Sequence, residues 1–322
     1  MPKRILIALG GNAIKQAHEK GSTEEQYKNC YATTQYIAEI VKDLEEDDRL
    51  IITHGNGPQV GNLMVQQELA KDTVPPHPMD ILGAMTQGQI GYMLQQTLRE
   101  HLNDIDIHKS VCAIVNQVLV DPNDPEFFGD KASKPVGNFL TKEVAMQIKE
   151  AHPEYIMKQV KPNGERCWRR TVPSPDPIAN LEGDIIKKLV NMGVIVIASG
   201  GGGIPVLKNE KGHYKGIEAV IDKDLAGERL AEVVKADTFI ILTDVENARI
   251  HFGKDNEKKL EKISYQQAQQ YFDEGHFLDG SMGPKVKACL RFLSNGGQKA
   301  IIASLEKLTE ALKEESGTII VK

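Results

Sequence analysis

Three short glycine runs have the residue types and spacing to bind a small anion. They are Gly10-Gly11-Asn12-Ala13, Gly55-Asn56-Gly57-Pro58 and Gly200-Gly201-Gly202-Gly203-Ile204-Pro205. Each follows an apolar run that reads as a strand: Ile7-Ala8-Leu9, Ile52-Thr53-His54 and Ile197-Ala198-Ser199. Glycine lets backbone N–H groups approach a phosphate closely, and a following helix N-terminus adds partial positive charge. One such turn is ordinary punctuation. Three at the C-terminal ends of parallel strands predict an anion site at one edge of a sheet. The runs are not a Walker A loop, because no G-x-x-x-x-G-K-[ST] occurs. Nor do they form a dinucleotide fingerprint: Gly55-x-Gly57-x-x-x-Gly61 misplaces the third glycine, and Pro58 stands where a helix should open.

Lysines supply the formal charge. Lys223, in Ile221-Asp222-Lys223-Asp224-Leu225, sits where an extended run meets a helix that Asp222 or Asp224 can cap. Lys285, in Gly280-Ser281-Met282-Gly283-Pro284-Lys285, opens a helix with Pro284 at its first position. A first-turn lysine opposes the helix dipole at a cost of roughly 0.3–1 kcal/mol, which a bound anion would offset. Each also has a plain reading as a solvated lysine at a capped turn. Lys134, in Ser133-Lys134-Pro135, is a loop lysine that gains meaning only beside the others. Amide-lined bends with a few ammonium groups point to phosphoryl transfer, where catalysis is mainly positioning and charge neutralisation.

Other chemistries are disfavoured. Cys30, Cys112, Cys167 and Cys289 form no C-x-x-C pair, and the nine histidines form no H-x-x-x-H pair. The 322 residues carry 39 Lys plus Arg against 45 Asp plus Glu, a net charge of −6 without a long basic block, so a nucleic-acid partner is not expected. No apolar run reaches membrane-spanning length, and residues 5–9 are too short for a signal-peptide core. The expectation is a cytoplasmic protein without a membrane partner.

The elements that must position these residues alternate. Residues 4–9, 49–53, 111–119, 194–198, 218–221, 238–243, 299–303 and 318–321 read as strands, several almost continuously apolar, as in a parallel sheet buried on both faces. Residues 24–46, 86–101 and 180–191 keep their apolar side chains on one helical face. This predicts a doubly wound α/β sheet with helices on both faces. Length alone allows two domains or one large unit. Residues 121–177, rich in Pro, Gly and charge, break the alternation and read as an inserted excursion or lid with one modest helix near 142–149.

As a set the motifs resemble those of the carbamate kinases, within the amino-acid kinase family. The matching segments run nearly end to end: Ala8-Leu9-Gly10-Gly11-Asn12-Ala13, the run His54 to Gly61, Ala84-Met85-Thr86-Gln87-Gly88, Lys134-Pro135-Val136-Gly137, the run Val172 to Pro177, the run Ser199 to Pro205, the run Glu218 to Asp224, the run Ile241 to Val245, and Gly280-Ser281-Met282-Gly283-Pro284-Lys285. The resemblance implies an αβα sandwich around a mainly parallel sheet with a protruding lid subdomain. It implies reversible phosphoryl transfer between ATP and carbamate, with Mg²⁺ held mainly by the nucleotide phosphates, and a homodimer. It also implies two lobes: residues 1–208, including the excursion, for carbamate or carbamoyl phosphate, and residues 209–322 for ATP or ADP. By position Gly10, Gly11, Asn12, Gly55, Asn56, Gly57, Gly201 and Gly202 would border the substrate. Lys134 would reach in from the excursion. Lys223 and Lys285 would contact the nucleotide and the moving phosphoryl group, with Asp224 orienting them. Thr243, Asp244, Val245 and Met282 would border the nucleotide.

Two runs depart from the family pattern. Asp130-Lys131-Ala132-Ser133-Lys134-Pro135 replaces Asn-Pro-Thr-Lys-Pro. From Gln159 to Arg170 the family's acidic pair and Gly-Arg-Gly are lost while Trp168, Arg169 and Arg170 remain. Residues 123–170 hold nine Lys/Arg against seven Asp/Glu, so the lid is basic within an acidic chain. Two alternatives therefore stand beside carbamate phosphorylation: a related kinase for another small acid, and a nucleotide-binding regulator without turnover.

Overall fold

The computed structural model describes residues 2–16, 18–278 and 280–322. Strand β1 (Arg4–Leu9) turns through one 3₁₀ step into α1 (Thr23–Asp43), and β2 (Arg49–His54) leads to α2 (Gly57–Ala70) and the long α3 (Met79–Asp104). The short β3 (Val111–Ala113) and β4 (Gln117–Val120) precede the excursion, built of β5 (Lys134–Leu140), α4 (Lys142–Ala151), β6 (Ile156–Gln159) and β7 (Trp168–Val172). The chain then forms β8 (Pro177–Asn180), α5 (Gly183–Asn191), β9 (Ile195–Ile197), β10 (Ile204–Lys208), β11 (Tyr214–Gly216), α6 (Lys223–Val234) and β12 (Thr238–Thr243). A ribbon of β13 (Arg249–Ile250) and β14 (Lys258–Lys259) follows. After it come β15 (Lys262–Ser264), α7 (Tyr265–Asp273), α8 (Met282–Ser294), β16 (Lys299–Ser304), α9 (Leu308–Leu312) and β17 (Thr318–Val321).

Eight strands form one sheet in the order β15-β17-β16-β12-β1-β2-β9-β3, parallel except for the β16–β17 pair. Its centre is buried on both sides because alternate residues of β1 serve two cores. Ile5, Ile7 and Leu9 pack with α1 and α3, whereas Leu6 and Ala8 face the layer of α5, α6 and α8. This is the expected αβα sandwich. Among the described residues no helix is long and apolar enough to cross a membrane.

Three expectations need correction. Residues 111–119 are two strands, not one: the chain leaves the main sheet after Ala113 and enters a second, four-stranded sheet of order β11-β10-β4-β8 at Gln117. Residues 218–221 are an extended link, not a strand. Their apolar Ala219 and Ile221 are buried, but Val220 N–H donates to the carbonyl of Pro173 (2.9 Å) instead of joining a ladder. The excursion is more ordered than one helix, since β5, β7 and β6 make an antiparallel sheet of their own.

Candidate active site

The order β12-β1-β2-β9 brings four parallel strand ends to one edge, and with them the three glycine runs and the Thr243-Asp244 turn. Gly10 is required by packing, because a Cβ there would come within 2.8 Å of the Leu242 carbonyl oxygen. Gly11 faces open space. A cleft of about 360 Å³ lies here, lined by Gly10, Gly11, Asn12, Lys223, Thr243, Asp244 and Lys285 together with Gln16 and Glu306. Gly55 adjoins it, and its Cβ position is 3.3 Å from Lys223 Cδ.

Charge is concentrated on the first turn of α6. Asp224 is nearly fully buried and accepts from two ammonium groups, Lys223 Nζ on Oδ1 and Lys285 Nζ on Oδ2 (3.2 Å). Lys285 arrives from the first turn of α8, which begins at Met282, so Pro284 is the third helical residue, not the first. Asp222 caps α6 and accepts from Lys134 Nζ (3.0 Å). Burial would push the Asp222 carboxyl up, but Lys134 and Lys223 beside it prevail and hold it at about 2. Lys223 and Lys285 line the cleft together with Asp244 and Glu306, whereas Lys134 lies outside its lining and is tied to it only through Asp222. Two ammonium groups beside glycine amides suit a phosphate.

The third glycine run has a different role from the first. A side chain at Gly200 would strike the ring of His54, at Gly201 the amide of Asn56, at Gly202 the carbonyl of Ile221 and at Gly203 Val118. These glycines exist for close packing, and Gly201 and Gly202 are absent from the cleft lining. Asn56 is likewise buried, donating to Thr86 Oγ1 (2.8 Å), and Gly57, the first residue of α2, is not among the residues that line the cleft. Burial drives the His54 ring down to about 4, so it is neutral and donates from Nδ1 to the Gly55 carbonyl (2.9 Å). Val245 and Met282 do not line the cleft either; Val245 is exposed and Met282 packs on the α6–α8 core.

Sequence reasoning missed the support behind that run. Ser199 adopts a left-handed φ of 53°. Its N–H donates to Asn116 Oδ1 (2.6 Å), and its hydroxyl donates to Asn180 Oδ1 (2.8 Å). Gln87 of α3 donates to the carbonyls of Asn116 and Gly200 (3.2 and 3.1 Å). Gln87 and Ser199 stand in the motif runs but Asn116 and Asn180 in none; only the fold assembles the four into one buried network. Asp222, foreseen as a cap, was not foreseen as the partner of Lys134.

The excursion is held against the body at several points. Arg170 pairs with Glu218 and lies over the Tyr155 ring. Asp176 makes a two-pronged bridge to Arg291 (2.6 Å on both prongs) with Lys287 at 3.4 Å. Val136 and Val172 pack on Met79. Among the described residues no three His, Cys, Asp or Glu side chains group closely enough to hold a metal ion.

A glycine-lined cleft that holds Lys223 and Lys285 at the strand ends of an αβα sandwich is the arrangement of a phosphate-handling α/β enzyme. The chain belongs to the amino acid kinase family, whose sequence profile matches residues 3–304. It is 50% identical to the carbamate kinase of Thermococcus kodakarensis over 99% of both chains, and 50% identical to that of Pyrococcus furiosus over 100% of both. It superposes on a carbamate kinase from Giardia lamblia bound to AMP-PNP with a TM-score of 0.91 at 40% identity, covering 100% of this chain and 99% of that one.

Proposed function

We propose that this protein is a carbamate kinase, transferring phosphoryl reversibly between ATP and carbamate. The observation that carries the reading is Asp224, a buried carboxylate gripping the ammonium groups of Lys223 and Lys285 beside the open Gly11 bend. In the direction of ATP formation, the bond between phosphorus and the carbamoyl carboxyl oxygen breaks as a bond forms to the terminal oxygen of ADP. Carbamate leaves as an anion, so the step needs no general acid. The protein's task is to align two anions and neutralise the charge between them. Lys223 and Lys285 would meet the moving phosphoryl group, with Asp224 orienting both. Amides at Gly10, Gly11 and Asn12, with Gly55 beside them, would hold the carbamoyl phosphate side, and Lys134 would close over it. Thr243 and Asp244 would border the nucleotide.

The wider assignment places carbamoyl phosphate with residues 1–208 and the nucleotide with residues 209–322. The donor set suits a Mg²⁺ that arrives on nucleotide phosphates and keeps several waters. Asp244 and Glu306, which line the cleft, would lend it oxygens. When bound it would spread the phosphate charge. A cytoplasmic homodimer is part of the same reading. Exposed Ile81, Met85 and Tyr92, along one side of α3, support a partner subunit there.

The test is ATP formation from ADP, Mg²⁺ and carbamoyl phosphate, with acetyl phosphate as a competing donor. Formation only from acetyl phosphate would move the reading to a kinase of another small acid. Nucleotide binding without ATP formation from either donor would make the protein a regulator.

A further inference from the structure

Two parts of the molecule meet on the carboxylate of Asp222, the N-terminus of α6 and the excursion. Its Oδ1 caps α6, accepting from the backbone N–H groups of Asp224 (2.9 Å) and Leu225 (3.4 Å). Its Oδ2 accepts from Nζ of Lys134, the first residue of β5, 88 positions away in the chain (3.0 Å). The link leading into it carries Glu218, which receives Arg170 from β7 of the same excursion. The excursion therefore reaches the turn that bears Lys223 and Asp224 through two ion pairs four residues apart. Only the Asp222 pair involves a group facing the cation cluster. Its carboxyl, held at about 2, stays ionised throughout the neutral range.

An ammonium has three N–H donors, and Asp222 engages one of Lys134's. Two remain for a phosphate, in a direction fixed by the first. We infer that Asp222 is a positioning residue for the phosphoryl transfer, locking Lys134 of the excursion onto the turn that carries Lys223 and Asp224. Docking of the lid and completion of the cationic cluster then become one event. The inference rests on carbamoyl phosphate being the substrate. It contrasts with a plain capping role, which the Oδ1 bonds alone would satisfy.

Asp222→Asn separates the two roles, because asparagine caps a helix about as well as aspartate but lacks the charge. It is compared with Lys134→Ala and with the double variant. Asp222→Asn should raise KM for carbamoyl phosphate about ten-fold or more, as loss of a charge-assisted bond predicts, while KM for ADP stays within about two-fold. In the Lys134→Ala background the same change should add little, since the partner is already gone. Equal effects in both backgrounds, or an effect on ADP alone, would overturn the inference. Amide hydrogen exchange gives a readout independent of turnover. Without substrates, exchange over residues 131–138 should quicken in Asp222→Asn while α6 is unchanged. Unaltered exchange there, or faster exchange in α6, would leave capping as the only role. If the wild type makes no ATP from carbamoyl phosphate, the substrate assignment fails and the exchange experiment alone decides on Asp222.

Discussion

At the scale of single residues, the site depends on how few groups carry its charge. Lys223 pairs with the buried Asp224 and lines the cleft, so its loss removes a donor that is already aimed and desolvated. Lys223→Ala should lower kcat by about a hundred- to a thousand-fold, the size expected for a key electrostatic donor, with ADP still bound. Steady-state kinetics with ADP binding by calorimetry checks this, and an unchanged kcat would remove Lys223 from the site. A second residue matters for stability instead. Glu228 of α6 is fully buried, and burial raises its carboxyl to about 7 despite Arg229 and Arg291 nearby. The raised value means the folded protein prefers the neutral acid. This contribution is complete below about 4.5, the value in the unfolded chain, and is lost as pH rises through about 7. Glu228→Gln keeps an acceptor for Asn295 but carries no charge. Its stability advantage in urea unfolding should therefore grow from pH 5 to pH 7.5 and level off above. An advantage independent of pH would mean Glu228 is already ionised inside the protein.

At the scale of elements, the glycines at the end of β9 set the spacing between strand ends and α6. Gly202 has a φ of 93°, and a Cβ there would collide with the Ile221 carbonyl, one residue before Asp222. Gly202→Ala should cost about 2–4 kcal/mol, combining left-handed strain with overpacking, and should reduce activity with it because Asp222 and Asp224 move. Urea unfolding beside turnover measures both; a fully active, equally stable variant would show that the link is free to shift. The same junction shows what sequence can and cannot reveal. Strands such as β1 and β12 were legible because both faces are buried and the apolar run is unbroken. Residues 218–221 carry the same signal for another reason, as a buried link between sheet and helix. Residues 111–119 hide a change of sheet at Ile114-Val115-Asn116, where only tertiary contacts interrupt an apolar run. Helix α2 was missed because Gly57-Pro58 reads as a turn and Gln59, Gln66 and Gln67 interrupt its apolar pattern, and β5 to β7 because prolines and charges interrupt them. Within the site, the cleft glycines and lysines were legible by type. The Lys134–Asp222 pairing was not, because nothing local in sequence links positions so far apart.

At the scale of the whole molecule, the excursion is an insertion whose two ends already lie together. Val120 of β4 pairs directly with Pro177 of β8 in an antiparallel ladder, so the chain leaves and re-enters the second sheet at neighbouring positions. The two main cores contain no side chain from residues 121–171. The excursion's apolar contributions to the body are the small cluster of Val136 and Val172 on Met79 and the packing of Phe127 on Val118, Val120, Ile221 and Ala226. Folding of the sandwich and completion of the site are thus assigned to different stretches of chain. Replacing residues 122–175 with a short glycine-containing turn should leave a hairpin of β4 and β8, with Asp176 retained to hold Arg291. That protein should unfold cooperatively at a lower temperature, since Met79 and the Val118, Val120 and Ile221 cluster are uncovered, and should still bind ADP. ATP formation from carbamoyl phosphate should fall by at least about a hundred-fold, because Lys134 and its partner contact are gone. Calorimetric melting, ADP titration and turnover on one preparation distinguish the outcomes. Retained turnover would show that the lid lysine is dispensable. Loss of cooperative folding would show that the excursion belongs to the core and does not merely close over it.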